Sequence, residues 1–99
     1  PGHLVAAKQM SGFGTIVSFE TTGSAEETDA MCDRTSVVIH STSLGGVESL
    51  CSLPILTSQF GLSDEALAKA GVTRGMMRLS VGLEDAVDLI ADVKQAIEG

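Results

Sequence analysis

The sequence predicts an α+β fold, a small antiparallel sheet with helices packed on one of its faces. Three observations predict it. Short β-branched or alternating segments recur at residues 10–20, 37–40, 47–51 and 75–81. Segments with helix-capping signals lie between them and after the last one. The resulting order of β, α, β, β, α, β, α favours hairpin-like strand pairing with the helices gathered on one side.

The first part of the chain predicts a strand and then a capped helix. M-S-G-F-G-T-I-V-S-F-E (10–20) places aromatic and β-branched side chains on one face, which indicates a strand. Ser24-Ala-Glu-Glu27 matches a capping box, with Ser24 as the N-cap and Glu27 three residues later. A short helix is therefore expected over 25–34.

The middle of the chain predicts two short strands, a loop and a second helix. V-V-I-H (37–40) and V-E-S-L-C (47–51) are rich in residues that favour strands, and residues 55–63 read as a loop. Ser63 is a suitable N-cap for a helix over 64–70. The following Gly71 stands where a helix C-terminus favours glycine.

The last part predicts a strand over 75–81 and then the strongest helical pattern in the chain. The strand places Arg78 and Ser80 on one face, and the apolar Met77 and Leu79 on the other. In the helix, an apolar stripe predicted to face the core consists of Ala86, Leu89, Ile90, Val93, Ala96 and Ile97. The opposing flank, predicted to face solvent, carries Asp85, Asp88 and Asp92, and Gly99 is suited to end the helix.

Length, charge and cysteine content narrow the functional classes. A chain of 99 residues forms one domain at most. Its net charge of −7 disfavours nucleic acid, and no basic cluster or long apolar run indicates a membrane partner. Cys32 and Cys51 are predicted to be reduced, packed thiols of a cytoplasmic protein, although a disulfide between them is also compatible with the sequence. The start at Pro1, without an initiator methionine, suggests a piece of a longer protein.

No complete catalytic centre is visible. A Ser-His-acid triad would need His3 or His40, and no nucleophile-elbow motif accompanies either histidine. The two histidines and two cysteines lack metal-ligand spacing, and G-F-G is only a fragment of a phosphate-binding pattern.

The candidate binding residues are Arg78, Ser43 and Thr42. A guanidinium is a planar fork that can hold a carboxylate by two parallel hydrogen bonds. The structural alternative is an arginine whose stem covers apolar surface while its head pairs with one of the thirteen acids of the chain. For Ser43 and Thr42, the corresponding alternative is a polar turn.

Four segments occur in a characteristic order: P-G-H near the start, M-S-G-F-G…V-S-F-E, S-L-G-G-V-E-S-L and R-L-S-V-G-L-E-D…L-I-A-D. Together they resemble the carboxy-terminal domain of the Cys/Met-metabolism enzymes that use pyridoxal phosphate. That family includes cystathionine γ-synthase, the cystathionine lyases and methionine γ-lyase. The resemblance covers nearly the whole chain.

The resemblance implies that residues 1–99 are the single small carboxy-terminal domain of a fold-type-I enzyme. A large domain, absent from this chain, would bind pyridoxal phosphate through a Schiff-base lysine, and the parent enzyme would be a cytoplasmic homotetramer. Arg78 of R-L-S would bind the α-carboxylate of a small amino-acid substrate, with Ser43 of S-L-G-G at the same site. Thr42 stands where γ-synthases and γ-lyases often carry glutamate, so it offers no carboxylate to a cationic distal amino group.

The implied function is substrate binding within an enzyme of β- or γ-elimination or replacement. Its substrates would include cystathionine, homocysteine, methionine or an acylated homoserine, and this chain alone would be inactive. The alternative is a free-standing amino-acid-binding or interaction module that keeps the fold without catalysis. Ligand binding by the isolated chain would distinguish the two.

Overall fold

The computed structural model describes all residues, 1–99, as four α-helices, a short 3₁₀ helix and a four-stranded sheet. In chain order the elements are α1 (His3–Gln9), β1 (Ile16–Glu20), α2 (Ala25–Asp33), β2 (Ile39–His40), β3 (Leu50–Ser52), the 3₁₀ helix (Pro54–Leu56), α3 (Asp64–Ala70), β4 (Met76–Ser80) and α4 (Ala86–Glu98). The predicted α+β class is confirmed.

The sheet is mixed, with strand order β1-β4-β3-β2. β4 pairs antiparallel with β1 and with β3, as expected, but β2 and β3 run parallel. The prediction of a wholly antiparallel sheet is therefore wrong at this edge. The reason is that residues 41–49 cross over one face of the sheet before β3 begins, instead of turning back in a hairpin. So short a crossover is sufficient because β2 and β3 contain only two and three residues.

The core lies on the face of the sheet that carries Cys51 and Met77. Helices α2 and α4 cover this face, and the thiol of Cys32 in α2 donates to Met77 Sδ at 3.2 Å. The buried apolar cluster consists of Met31, Cys32, Val38, Cys51, Leu53, Ile55, Leu67, Met77 and Ala96. These packed side chains fix β4, and with it the residues that point from its opposite face.

The predicted helix termini are confirmed. Ser24 Oγ accepts the Glu27 backbone N–H at 3.2 Å, and the Glu27 carboxylate accepts the Ser24 N–H at 2.8 Å, so both bonds of the capping box form. Ser63 Oγ caps α3 by accepting the Ala66 N–H. Gly71 ends that helix with φ of 71°, a backbone conformation that residues other than glycine rarely adopt.

Several boundaries differ from the sequence prediction. Helix α1 lies before residue 10, where no element was predicted, because Gly2 at its N-cap provides no side-chain capping bond and its seven residues are too few for a helical repeat. β1 begins only at Ile16, after Gly14 adopts φ of 83°. β2 is shorter than the 37–40 segment because the N–H groups before it bond to Asp92 rather than to a neighbouring strand.

Helix α4 presents a different face to the core from the one predicted. Ile90 and Ile97 were assigned to the core, yet they are 67% and 54% exposed. Asp92, assigned to a solvent-facing flank, is only 5% exposed. Its carboxylate accepts the backbone N–H groups of residues 36–38 at 2.7–2.9 Å. These bonds, together with the close packing of the fully buried Ala96, set the rotation of the helix.

Candidate functional site

Arg78 lies in β4, at the centre of the sheet, on the face opposite the core. In the strand register it stands between Ser18 of β1 and Ser52 of β3, so three polar residues form a row across the sheet. The Arg78 side chain is partly buried, and Ser52 is fully buried. The period of two that predicted this face from the sequence is thus seen in the structure.

The guanidinium of Arg78 is bound by the loop that crosses the sheet. Its Nη2 donates to the carbonyl oxygen of Thr42 at 2.8 Å and to that of Ser43 at 3.2 Å. The three predicted site residues are therefore brought together. Thr42 and Ser43 contribute main-chain carbonyls to this contact, not their hydroxyls.

The structure does not contain the alternative considered for Arg78, an ion pair with an acidic residue of the chain. The ion pairs of the chain involve His40, Lys69, Arg74 and Lys94, and none of them includes Arg78. The positive charge of Arg78 is therefore not neutralised by a partner within these 99 residues.

Two buried polar atoms beside this loop lack hydrogen-bond partners. They are Arg78 Nε and Ser52 Oγ, which belong to residues directly opposite each other in β4 and β3. Leaving a buried donor unpaired costs on the order of 1–3 kcal/mol, so such atoms are uncommon in folded proteins unless a ligand or water binds them. A carboxylate has the charge and the acceptor atoms that such a fork requires.

The crossing loop is attached to the segment 80–84 further along. The Gly45 N–H donates to Ser80 Oγ at 2.9 Å, and the Leu83 N–H donates to the Val47 carbonyl at 2.8 Å. Because Ser80 points from the same face as Arg78, the loop lies over the polar face of β4.

Sequence reasoning missed Ser49 and Glu84, which fix the end of this loop. Glu84 accepts both the Ser49 N–H at 2.8 Å and the Ser49 hydroxyl at 2.7 Å. These bonds hold the pKa of Glu84 below its usual value. Ser49 Oγ also accepts the Gly82 N–H at 2.8 Å. Ser49 lies in the segment S-L-G-G-V-E-S-L and Glu84 in R-L-S-V-G-L-E-D. Membership of these two motifs was the only sequence signal for either residue.

His40 and the two cysteines lie away from Arg78 and its loop. His40, at the end of β2, contacts Asp33 at 2.8 Å and Asp29 at 3.4 Å. Partial burial lowers the pKa of His40, but the hydrogen bond to Asp33 and the nearby negative charges outweigh it, so the pKa is raised. Cys32 and Cys51 are free and buried in the core, as predicted.

The three lysines of the chain lie on helices. Lys8 lies in α1, whereas Lys69 and Lys94 are exposed on helices and pair with acids one turn away. None of the helices combines the length and the apolar composition that a membrane span requires.

An open apolar groove of about 570 Å³ runs along α4. Its apolar lining includes Leu79, Val81, Leu89, Ile90, Val93 and Ile97. The exposed isoleucines of α4 thus form one continuous surface with the end of β4. An apolar surface of this kind is more typical of an interface than of free protein surface.

Comparison with known proteins identifies the family of the chain. The sequence pattern of the family described as Cys/Met metabolism PLP-dependent enzyme matches residues 1–98. The chain is 42% identical to cystathionine gamma-lyase of Bacillus subtilis (strain 168) over 98 residues, which are 99% of this chain and 26% of that protein. It is 41% identical over 93 residues to cystathionine gamma-synthase of Escherichia coli (strain K12), covering 94% of this chain and 24% of the relative.

Solved structures give the same result. Cystathionine gamma synthase from Xanthomonas oryzae pv. oryzae, in complex with cystathionine, superimposes with a TM-score of 0.88 and 40% identity, covering 99% of this chain and 25% of that one. Cystathionine gamma lyase from Micromonospora echinospora superimposes with a TM-score of 0.87 and 43% identity, covering 100% and 26%. The chain spans about a quarter of the length of these relatives. It belongs to the Cys/Met metabolism PLP-dependent enzyme family.

Proposed function

We propose that this chain is the small carboxy-terminal domain of a longer pyridoxal phosphate enzyme of sulfur amino-acid metabolism, and that it binds the α-carboxylate of the substrate. The observation that carries the proposal is the state of Arg78. Its guanidinium is oriented by two carbonyls, has no acidic partner and keeps a buried Nε without a hydrogen bond. A free, oriented and partly desolvated cation is the arrangement that a carboxylate-binding site needs.

In this proposal Arg78 holds the substrate in one orientation. The two loop carbonyls restrict the guanidinium to one orientation before the substrate arrives, which lowers the entropy cost of binding. The fork then holds the carboxylate, and the amino acid is fixed with its Cα toward the reacting groups. Ser52 Oγ, beside Arg78 in the register, is a further donor within this polar row.

The names of the relatives support a proposal for the reaction class. Those found in the comparisons are named cystathionine gamma-lyase, cystathionine beta-lyase, cystathionine gamma-synthase and L-methionine gamma-lyase. We infer β- or γ-elimination or replacement on a small sulfur amino acid or an acylated homoserine. Pyridoxal phosphate, bound by the remainder of the longer protein, would supply the electron sink for bond changes at Cα.

The rest of the proposed assembly is supported by the apolar groove and by length. The groove along α4 exposes isoleucines that a neighbouring domain would cover. The relatives are about four times as long as the matched segment. We therefore propose a large cofactor-binding domain as the partner. From the family resemblance we further propose a cytoplasmic homotetramer. A coding region upstream of Pro1 that encodes a cofactor-binding lysine motif would support this, and a stop codon directly before Pro1 would contradict it.

Substitution of Arg78 in the longer protein tests the function. Loss of a charge-assisted bidentate contact costs on the order of 2–4 kcal/mol, so Arg78→Ala should lower kcat/KM for L-cystathionine by roughly thirty- to a thousand-fold. Arg78→Lys should recover only part of the loss, because an ammonium lacks the planar fork. Cofactor absorbance should be unchanged. A kcat/KM equal to that of the wild type in Arg78→Ala would contradict the proposal.

Calorimetry separates the enzyme domain from a free-standing binding module. The isolated chain offers only one side of a site, so L-methionine, L-homocysteine and L-cystathionine should bind too weakly to detect. Saturable binding by the 99-residue chain that disappears in Arg78→Ala would instead favour the module.

A further inference from the structure

The loop over residues 42–49 and the segment 78–84 are joined by a series of hydrogen bonds from one end to the other. The loop begins with the carbonyls that accept from Arg78 and continues with the bond between Gly45 and Ser80. It ends at Ser49, which bonds to both Gly82 and Glu84. The orientation of Arg78 thus depends on a loop whose other end is held by Glu84.

The geometry of Glu84 allows it to hold Ser49 at the end of the loop. Its two carboxylate oxygens accept the two donors of one residue, the N–H and the hydroxyl of Ser49. Ser49 is fully buried, so both donors would otherwise lack partners. Glu84 is not needed to begin α4, because Asp85 is the N-cap and accepts the Val87 N–H.

Gly82 provides an independent sign that this end of the loop is tightly seated. A Cβ placed on Gly82 would lie 2.2 Å from the Val47 carbonyl oxygen and 2.6 Å from the backbone carbon of Glu48. Both distances are far below van der Waals contact. The glycine is therefore required for the loop to approach as closely as the Glu84 bonds demand.

We propose that Glu84 is a positioning residue for the carboxylate site. By holding Ser49, it fixes the loop whose Thr42 and Ser43 carbonyls orient the Arg78 guanidinium. This inference rests on the function proposed above. It assigns Glu84 no contact with substrate and predicts an effect on substrate affinity that passes through Arg78.

Kinetics of the longer protein with L-cystathionine are the first test. Glu84→Ala should raise KM about tenfold with a smaller change in kcat, which is the size expected when hydrogen bonds to a charged group are lost. Glu84→Gln, which keeps one acceptor oxygen, should lie between Glu84→Ala and the wild type. The matched control is Glu65→Gln, which removes the same charge from an exposed glutamate paired only with Lys69 at 3.7 Å. It should behave as the wild type.

Hydrogen exchange of the longer protein, followed by mass spectrometry, is the second test. Glu84→Ala should speed exchange in peptides covering 42–49 by about tenfold, with exchange of the β4 peptide 76–81 unchanged. Equal acceleration in both peptides would indicate general destabilisation and overturn the positioning role. So would an unchanged KM in Glu84→Ala where Arg78→Ala impairs activity. If Arg78→Ala is itself without effect, the proposed function fails instead.

Discussion

The two faces of the sheet are held by different interactions. On one face, α2 and α4 cover Met77 and Cys51 with apolar contacts. On the other, the 42–49 loop covers β4 through hydrogen bonds to Arg78 and Ser80. The two orphaned polar atoms of this row, Arg78 Nε and Ser52 Oγ, both belong to the loop face. We infer that the first face provides stability, whereas the second keeps its polar groups for a ligand.

The two sides of the sheet each contain a carboxylate that accepts hydrogen bonds from the backbone of a loop. Asp92 binds residues 36–38 on the helical side, and Glu84 binds Ser49 on the loop side. Asp92 is buried and bonded to consecutive amides, so its removal should chiefly affect folding. Glu84 is partly exposed and holds the loop that orients Arg78, so its removal should chiefly affect the site.

The largest expected effect on stability is that of Asp92→Ala. It would leave three backbone N–H groups without their acceptor, and the free energy of unfolding should fall by about 3 kcal/mol. Asp92→Asn, which keeps one acceptor oxygen, should lose less. Urea unfolding followed by circular dichroism measures both. Equal stability of Asp92→Ala and the wild type would show that water replaces the carboxylate without cost.

The same carboxylate predicts a dependence on pH. Burial raises the pKa of Asp92, but the backbone N–H groups of residues 36–38 and the Gln95 amide lower it by more, so the net shift is downward. A group with a depressed pKa in the folded state adds stability above its unfolded pKa. That stability is lost as the pH falls through the folded pKa. Below pH 4, roughly the ordinary pKa of aspartate, the wild type should therefore lose more stability than Asp92→Asn does.

The groove along α4 should make the isolated chain self-associate. Sedimentation velocity should show oligomers that dissociate on dilution, despite the net charge of −7. Ile90→Glu places a charge in the groove and should favour the monomer. Val5→Glu, at an exposed apolar residue of α1 outside the groove lining, is the matched control and should not. A wild-type chain that remains monomeric over a wide concentration range would contradict the expectation.

The smallest expected effect is that of His40. Its raised pKa means that protonation stabilises the folded state. The contribution is fully present below the unfolded pKa of histidine and is lost as the pH rises through the folded pKa. Because the pair with Asp33 is largely exposed, it should amount to less than about 1 kcal/mol. Tm measured from pH 5 to 8 should fall slightly more for the wild type than for His40→Gln.

Local signals in the sequence were sufficient for some parts of the fold. Both bonds of the Ser24–Glu27 capping box form between residues three apart, so the motif alone specifies them. The same holds for Ser63 and Gly71 at the ends of α3. The face of β4 that carries Arg78 and Ser80 followed from the period of two in one strand.

Other parts depend on contacts between distant residues and could not be predicted. Nothing in the sequence around Asp92 distinguishes it from a solvent-exposed aspartate. Its hydrogen bonds to residues 36–38, which are distant in the chain, determine which face of α4 is buried. The parallel pairing of β2 and β3 depends on the route of the 41–49 loop. Glu84 acts on a residue 35 positions earlier in the chain. No local pattern specifies such contacts.

The most direct test of the account compares two ligands that differ only in the carboxylate. L-Norleucine and pentan-1-amine share the same amine and alkyl chain, and their inhibition constants against L-cystathionine can be measured in the longer protein. The wild type should prefer norleucine by roughly thirty- to a thousand-fold, the value of one charge-assisted bidentate contact. Arg78→Ala should reduce that preference to near unity. If Arg78→Ala keeps the full preference for norleucine, the carboxylate is bound elsewhere and the assignment of Arg78 is wrong.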